Sequence, residues 1–296
     1  MGAVPPASTP PRAEPSRTVH CADGVAWLRE RDLAADHAVV TSLPDHSELP
    51  ALGFDGWRRW FTVAATAACR AVADGSVAIF YQTDVKLDGR WIDKSFLVQL
   101  GAQVAKSHLL WHKVVCRVAP GATTFGRPAY AHLLCFSRGL RLETGQSLPD
   151  VIPRPGAMTW ARAMPTEACG AVARFLLAHT GCRTVVDPFC GMGTMLAVAN
   201  AHGLDAVGVE LSRKRAENAR SLVLEGARRP AALADAREVA PPGGHRPADP
   251  EVDRPPEDPR DEGADHEGGA PHPERAGHDG HDDPEPGDEP AEDDRR

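Results

Sequence analysis

The sequence predicts an α/β fold: a mostly parallel sheet that also contains one antiparallel strand pair. Three observations carry this. Short β-type apolar runs alternate with helix-type runs across residues 18–225. Two strand-type runs, 109–118 and 130–137, follow one another with only a Gly/Pro/Thr loop between them. A third run ends in an acid, Asp187, passes through a glycine-rich turn and opens directly into a helix.

In chain order, residues 18–21 (TVHC) read as a short strand and 24–31 as a helix. Residues 37–41 (HAVVT) form a buried strand that ends in Ser42-Leu43-Pro44-Asp45, and 54–73 a long amphipathic helix. SVAIFY at 76–81 is the next strand. Residues 93–106 place Phe96, Leu97, Leu100 and Val104 at helical spacing. After the antiparallel pair comes an irregular Pro/Gly-containing link, 139–158. A helix at 165–180 has Pro165 in its first turn and Gly181 at its C-terminal end. Residues 183–186 are a strand, 191–201 a turn leading into a helix stopped by Gly203, and 205–209 (DAVGV) a strand. The last element is a helix at 212–225 with Ser212 as N-cap.

The ends differ from this core. Residues 241–296 hold one Val, no other large apolar residue and no aromatic, and the first 17 residues include five prolines. Neither segment can bury enough apolar surface to offset the entropy of ordering it. The expected organisation is a disordered segment at 1–17, one domain at 18–240 and a disordered acidic tail at 241–296. From Ala231 onward 21 acids face 7 bases, whereas residues 1–230 carry 20 acids and 26 bases, so a basic domain (+6) precedes an acidic end (−14). A basic domain is compatible with a nucleic-acid partner. The tail either solubilises the chain or competes with nucleic acid for the basic face. The seven cysteines are scattered, with no C-x-x-C pair, which argues against a disulfide framework and a zinc site; no metal is expected. No apolar run reaches the ~18–20 residues of a membrane span, so the expectation is a soluble cytoplasmic protein with no membrane partner.

The strongest motif is Asp187-Pro188-Phe189-Cys190-Gly191-Met192-Gly193-Thr194, with Glu210 ending the next strand. Glycines let a ligand lie against the backbone, and a carboxylate at the end of the following strand can accept both hydroxyls of a ribose. A phosphate-binding loop would need a lysine that is missing, and a dinucleotide loop would need a glycine where Leu196 stands. An acid at the strand end would repel pyrophosphate. It suits a ligand with an ammonium group and no phosphate, namely S-adenosylmethionine. The plainer alternative is a tight β–α turn with Asp187 capping the helix.

At these residues the chain resembles a family. Asp187-Pro188-Phe189-x-Gly191-x-Gly193-Thr194 is similar to motif I of Rossmann-like S-adenosylmethionine-dependent methyltransferases, in the DPF-x-G-x-G-T form of DNA and some RNA amino-methyltransferases. Ser42-Leu43-Pro44-Asp45 stands where their Ser/Asp/Asn-Pro-Pro-aromatic motif IV belongs, and it precedes motif I, as in the circularly permuted members. His20-Cys21-Ala22-Asp23-Gly24, Leu110-Trp111-His112-Lys113, residues 130–138 and residues 160–180 with Met164-Pro165 resemble flanking parts. The resemblance implies a circularly permuted class I methyltransferase. In it Asp187, Pro188, Phe189, Gly191, Gly193 and Thr194 cradle the cofactor, Glu210 binds its ribose, residues 160–180 line its methionine end and Asp23 approaches its adenine. Asp235 is a rival for that last role.

Motif IV departs from the pattern: Leu43 replaces a proline and Asp45 the stacking aromatic. A base amine is a weak nucleophile, so the enzyme must align it and accept its hydrogens. Ser42, Pro44 and Asp45 are the candidate catalytic residues, with His46, Ser47 and Glu48 as nearby polar groups. The plainer reading has Asp45 and Ser47 capping the next helix and Pro44 ending the strand. Tyr81 or Trp91 could supply the stacking surface, and the polar run 81–86 could wall the substrate pocket. Lys86, Arg90, Lys94, Lys113, Arg117 and Arg127 are candidate phosphate contacts. His112 and His132, within strands, read as structural histidines. The gap before motif I, 139–159, is too short for a target-recognition domain, which favours RNA recognised by shape, possibly tRNA, over DNA. The expected activity is methylation of an RNA base. The alternatives are a DNA adenine or cytosine amino-methyltransferase, an enzyme acting on a small molecule or protein, and a non-catalytic S-adenosylmethionine-binding protein. The sequence leaves the oligomeric state open.

Overall fold

The computed structural model describes residues 14–224. The expectations for residues 1–13, for Asp235 and for the tail at 241–296 lie outside the described residues. Within them the elements are β1 (Arg17–Cys21), α1 (Gly24–Arg29), β2 (His37–Thr41), α2 (Gly53–Ala71), β3 (Ala78–Gln82), β4 (Val85–Leu87), β5 (Arg90–Ile92), α3 (Lys94–Val104), β6 (His108–Cys116), β7 (Tyr130–Ser137), β8 (Val151–Ile152), α4 (Thr166–His179), β9 (Thr184–Asp187), α5 (Thr194–Ala201), β10 (Asp205–Glu210) and α6 (Arg213–Ser221). Two short 3-10 turns, His46–Glu48 and Pro50–Leu52, precede α2.

Eight strands form one sheet in the order β1-β10-β9-β2-β3-β7-β6-β8. Among the described residues β7 alone runs against the others in this sheet. The expected α/β class, with a mostly parallel sheet and an antiparallel β6–β7 pair, is what the chain forms. Both faces of the sheet are covered, so successive strand residues serve different cores. Ala38, Val40 and Val185 pack with α4, α5 and α6, while Val39 and Val186 pack with α1, α2 and α3. This explains why the central strands read as unbroken apolar runs. Six of the seven cysteines are buried and all seven are free, as expected of small apolar fillers. No described helix is long and apolar enough to cross a membrane.

The helix starts follow local chemistry. Asp23, Asp93 and Ser212 each accept a hydrogen bond from the third residue onward, at Ala26, Phe96 and Arg215. Three features depart from expectation. The hairpin β4–β5, closed by Asp88-Gly89 with positive φ at both, is not among the elements the sequence predicts, because its strands are only three residues long. β8 lies in the segment expected to be irregular and exists only because it pairs with β6. Helix α6 ends at Ser221 rather than at 225, where Arg17 of β1 donates to the carbonyls of Ala219 (3.1 Å) and Leu222 (2.7 Å).

Candidate active site

Parallel strands put their carboxyl ends at one edge of a sheet, where loops can build a pocket. Here β9 ends at Asp187, β10 at Glu210, β1 leads to Asp23 and β2 leads to Ser42. The register aligns them: Gly208 lies beside Asp187, Cys21 beside Glu210 and Val39 beside Val186. A cavity of about 830 Å³ opens at this edge. Asp187, Pro188, Phe189, Gly191 and Thr194 line it, with Glu210, Asp23, Ser42 and Pro44. The expected cofactor-binding residues are therefore together, with one exception.

That exception is Gly193, which does not line the cavity. Its φ is +87° and a Cβ there would sit 2.8 Å from the Cα of Ala219, so it is glycine in order to seat α5 against α6. The expected cofactor contact at Gly193 is thus not among the residues that line the cavity. Gly191 has φ +55°, and a Cβ there would meet the Trp160 ring at 2.6 Å. The missing side chain lets the indole lie on the turn and form the cavity wall with Met164.

Asp187 is buried. Its Oδ1 accepts from Thr41 Oγ1 at 2.7 Å and from the Phe189 N–H at 3.1 Å, so Oδ2 keeps its acceptor capacity. Burial pushes its pKa up from 3.8 to about 7, opposed by these two hydrogen bonds and assisted by Glu210. In the unfolded chain the proton leaves near 3.8. The folded protein therefore gains stability from this group at low pH and loses it as pH rises through about 7. Glu210 is fixed by two backbone donors, Gly191 N–H to Oε2 (3.1 Å) and Ser212 N–H to Oε1 (2.8 Å). Arg215 approaches the same carboxylate at 3.8 Å and lies 5.8 Å over Trp160.

A second cavity of about 210 Å³ adjoins the first. Ser42, Leu43, Glu48, Arg162 and Ala163 line both. Asp45, Tyr81, Thr83, Lys94, Arg117 and Arg127 line the second alone. Asp45 does cap the following turn: its side chain accepts from the His46 N–H, and Glu48 Oε2 accepts from the Asp45 N–H at 2.9 Å. It also faces the cavity, with Oδ1 3.7 Å from the ammonium of Lys94. Asp45 thus caps the turn and also lines the second cavity. Pro44 contributes its carbonyl, which accepts from Trp57 Nε1 at 3.1 Å and anchors the loop to α2. Ser47 lines the first cavity instead of capping. Tyr81 is the aromatic of the second cavity, and burial pushes its phenol up to about 12, so it is neutral.

Three expected substrate residues are elsewhere. Lys113 is buried in an ion pair with Asp150 at 2.6 Å. Lys86 and Trp91 face each other on the β4–β5 hairpin, 5.8 Å apart, and line neither cavity. His132 bonds Asp84 (3.0 Å) and His112 (2.9 Å), the structural role expected. Asp84, Asp93 and His132 lie close enough together to hold a cation, but Asp84 already takes the Lys94 N–H and Asp93 the Phe96 N–H.

Sequence reading missed Trp60, Arg162, Arg215 and the burial of Lys94. Trp60 packs edge-on against Phe189 at 5.7 Å; Arg162 pairs with Glu48 at 2.8 Å on the wall between the cavities. Nothing local marks any of them, since each acquires its place from a remote segment.

Similar solved structures exist. A candidate DNA modification methylase of Thermus thermophilus aligns at TM-score 0.54 and 21% identity, over 69% of this chain and 92% of that one. The same protein complexed with S-adenosyl-L-methionine aligns at 0.53 and 21%, over 69% and 91%. The PvuII DNA methyltransferase, cytosine-N4-specific, aligns at 0.54 and 13%, over 70% and 87%. No protein-family model matches the chain, and no curated protein matches it. The chain thus has the S-adenosylmethionine-dependent methyltransferase fold that its motifs led us to expect.

Proposed function

We propose that this chain is an S-adenosylmethionine-dependent amino-methyltransferase acting on a nucleic-acid base, with DNA the favoured substrate. The observation that carries the reading is the pair of adjoining cavities with a common wall at Ser42, Leu43, Glu48, Arg162 and Ala163. The first fits the cofactor. Its acids include Asp187, with a free acceptor oxygen for an ammonium, and Glu210, held rigid for two ribose hydroxyls; the cations Arg162 and Arg215 are neutralised by Glu48 and Glu210. The second fits one base.

The cofactor supplies an electrophilic methyl group on a sulfonium. The protein's own part is alignment and water exclusion. Ser42 stands on the common wall, where its hydroxyl can orient the acceptor amine. Asp45 Oδ1 is engaged by the His46 N–H and Lys94, and the carboxylate also takes the Glu48 N–H of its capping box; its remaining lone pairs can accept an amine hydrogen and then the proton released on methylation. Tyr81 and Thr83 bound the base on its other side.

The expectation of RNA ahead of DNA finds no support. It rested on the short 139–159 segment, whereas the similar solved structures are described as DNA methylases. Tritiated-methyl transfer from S-adenosylmethionine to separate pools of DNA, tRNA, rRNA and protein tests the proposal. Label in DNA, lost in Asp187→Ala, is expected. Label confined to protein or small molecules, or cofactor binding with no transfer to any pool, would overturn it.

The raised pKa of Asp187 gives a further expected result. A cationic ligand beside the carboxylate favours its ionised form, so binding releases a proton. Affinity for S-adenosylmethionine, measured by calorimetry, should fall about tenfold for each pH unit below about 7. Asp187→Asn should bind weakly at every pH and abolish that slope. A flat affinity profile in the wild type would show that Asp187 does not meet the cofactor's charge.

A further inference from the structure

We propose that Arg117 and Arg127, on the loop between β6 and β7, form a phosphodiester-binding site at the mouth of the second cavity, so that this cavity takes a nucleotide within a polynucleotide and not a free base. This rests on the base-methylation reading above and says what holds the target in place.

The charges lining the second cavity are Asp45, Glu48, Lys94, Arg117, Arg127 and Arg162. The two acids are already used, Glu48 by Arg162 at 2.8 Å and Asp45 by Lys94 at 3.7 Å. Among the described residues neither Arg117 nor Arg127 has an ion pair. Arg117 spends one donor on the Pro128 carbonyl at 3.1 Å, which fixes its guanidinium against its own loop. The Arg127 carbonyl accepts from Thr124 Oγ1, which closes the turn that carries it. The Arg127 charge reaches Lys94 and helps burial to lower that ammonium's pKa. Two guanidinium groups on one small cavity, without an acid to offset them, are arranged for an anion with several oxygens, and phosphate matches their fork geometry.

The structure also separates these two from the other basic residues of the region. Lys113 is occupied by Asp150 and Lys94 by Asp45, while Lys86 and Arg90 belong to the β4–β5 hairpin and line neither cavity. The same loop holds Phe125, 84% exposed, between the two arginines in sequence. An apolar ring kept in water on the same loop as two phosphate ligands is suited to stack on a neighbouring base when the target base has left the helix.

The test is the salt dependence of binding to the full chain. The probes are fluorescein-labelled random-sequence single-stranded DNA, duplex DNA and RNA, with free nucleoside monophosphates and nucleosides as competitors. Arg117→Gln and Arg127→Gln are each expected to reduce the slope of log K against log salt by about 0.7–0.9, to weaken binding whatever the base, and to leave S-adenosylmethionine affinity unchanged. Lys86→Gln should leave the slope as in wild type. The DNA and RNA arms identify which polynucleotide supplies the phosphodiester. An unchanged slope in the double variant overturns the site, as does equal loss of affinity for nucleosides lacking phosphate. Failures are distinguishable. A wild type that binds polynucleotide with the expected slope but transfers no methyl overturns base methylation and leaves the phosphate site supported. A wild type that methylates DNA with the slope insensitive to both arginines overturns the site alone.

Discussion

Gly24→Ala is expected to destabilise the fold and to cost the protein its cofactor affinity. A Cβ at Gly24 would lie 2.1 Å from the Pro188 carbonyl oxygen and 3.0 Å from the Phe189 ring. The first obstacle is backbone of the DPF turn, which cannot rotate away as a side chain would. The added methyl must push apart the start of α1 and the turn after β9, which both wall the first cavity. Overpacking of this kind costs about 1–3 kcal/mol, and more where the backbone must move. We expect the upper end of that range in thermal or denaturant unfolding, and at least about a tenfold loss of cofactor affinity by calorimetry, since Asp23 and Asp187 separate together. Gly75→Ala and Gly181→Ala are controls, because a Cβ at either meets nothing within 4 Å. A Gly24→Ala protein as stable and as tight-binding as those controls would contradict the close approach.

Asp45→Ala should separate chemistry from stability. Lys94 is 4% exposed, and Asp45 is its nearest ion-pair carboxylate. Removing one member of a buried pair strands the other charge, at a cost of about 3 kcal/mol. Part of this is relieved because burial already lowers the Lys94 pKa and Asp84 acts on the same ammonium. Loss of the proposed proton acceptor should lower kcat about 100-fold or more. Asp45→Ala with Lys94→Met removes the stranded charge as well, so stability should return to within about 1 kcal/mol of wild type while transfer stays impaired. If the double variant recovers activity along with stability, Asp45 acts only as a structural cap and the assignment of an amine-hydrogen acceptor fails.

The two variants differ in how far sequence could foresee them. The Ser42–Asp45 segment was legible as a candidate site because it ends a strand and carries polar groups, all within a few residues. The turn at Asp187–Thr194 was legible for the same reason: a strand end, a carboxylate, glycines and a helix start are adjacent in the chain. The reach of Gly24 to Pro188 was not, since the two are far apart in sequence and meet only because β1 lies two strands from β9 in the sheet. The same holds for Gly193. Its close approach to Ala219 joins segments remote in the chain.

By itself the sequence determined the alternation of strands and helices, the parallel sheet with its antiparallel pair, the acid–glycine turn with Glu210 one strand later, and the position of the Ser42–Asp45 segment at a strand end. These depend on periodicity, capping and turn chemistry, which act over a few residues. Only the tertiary structure decided which charges remain available. Lys113 went to Asp150, Lys94 to Asp45 and Arg162 to Glu48, leaving Arg117 and Arg127 on the cavity. Equivalent basic side chains look alike in a sequence. Their roles are set by which acid the folded chain brings within a few ångströms, and that pairing is a property of contacts between distant segments.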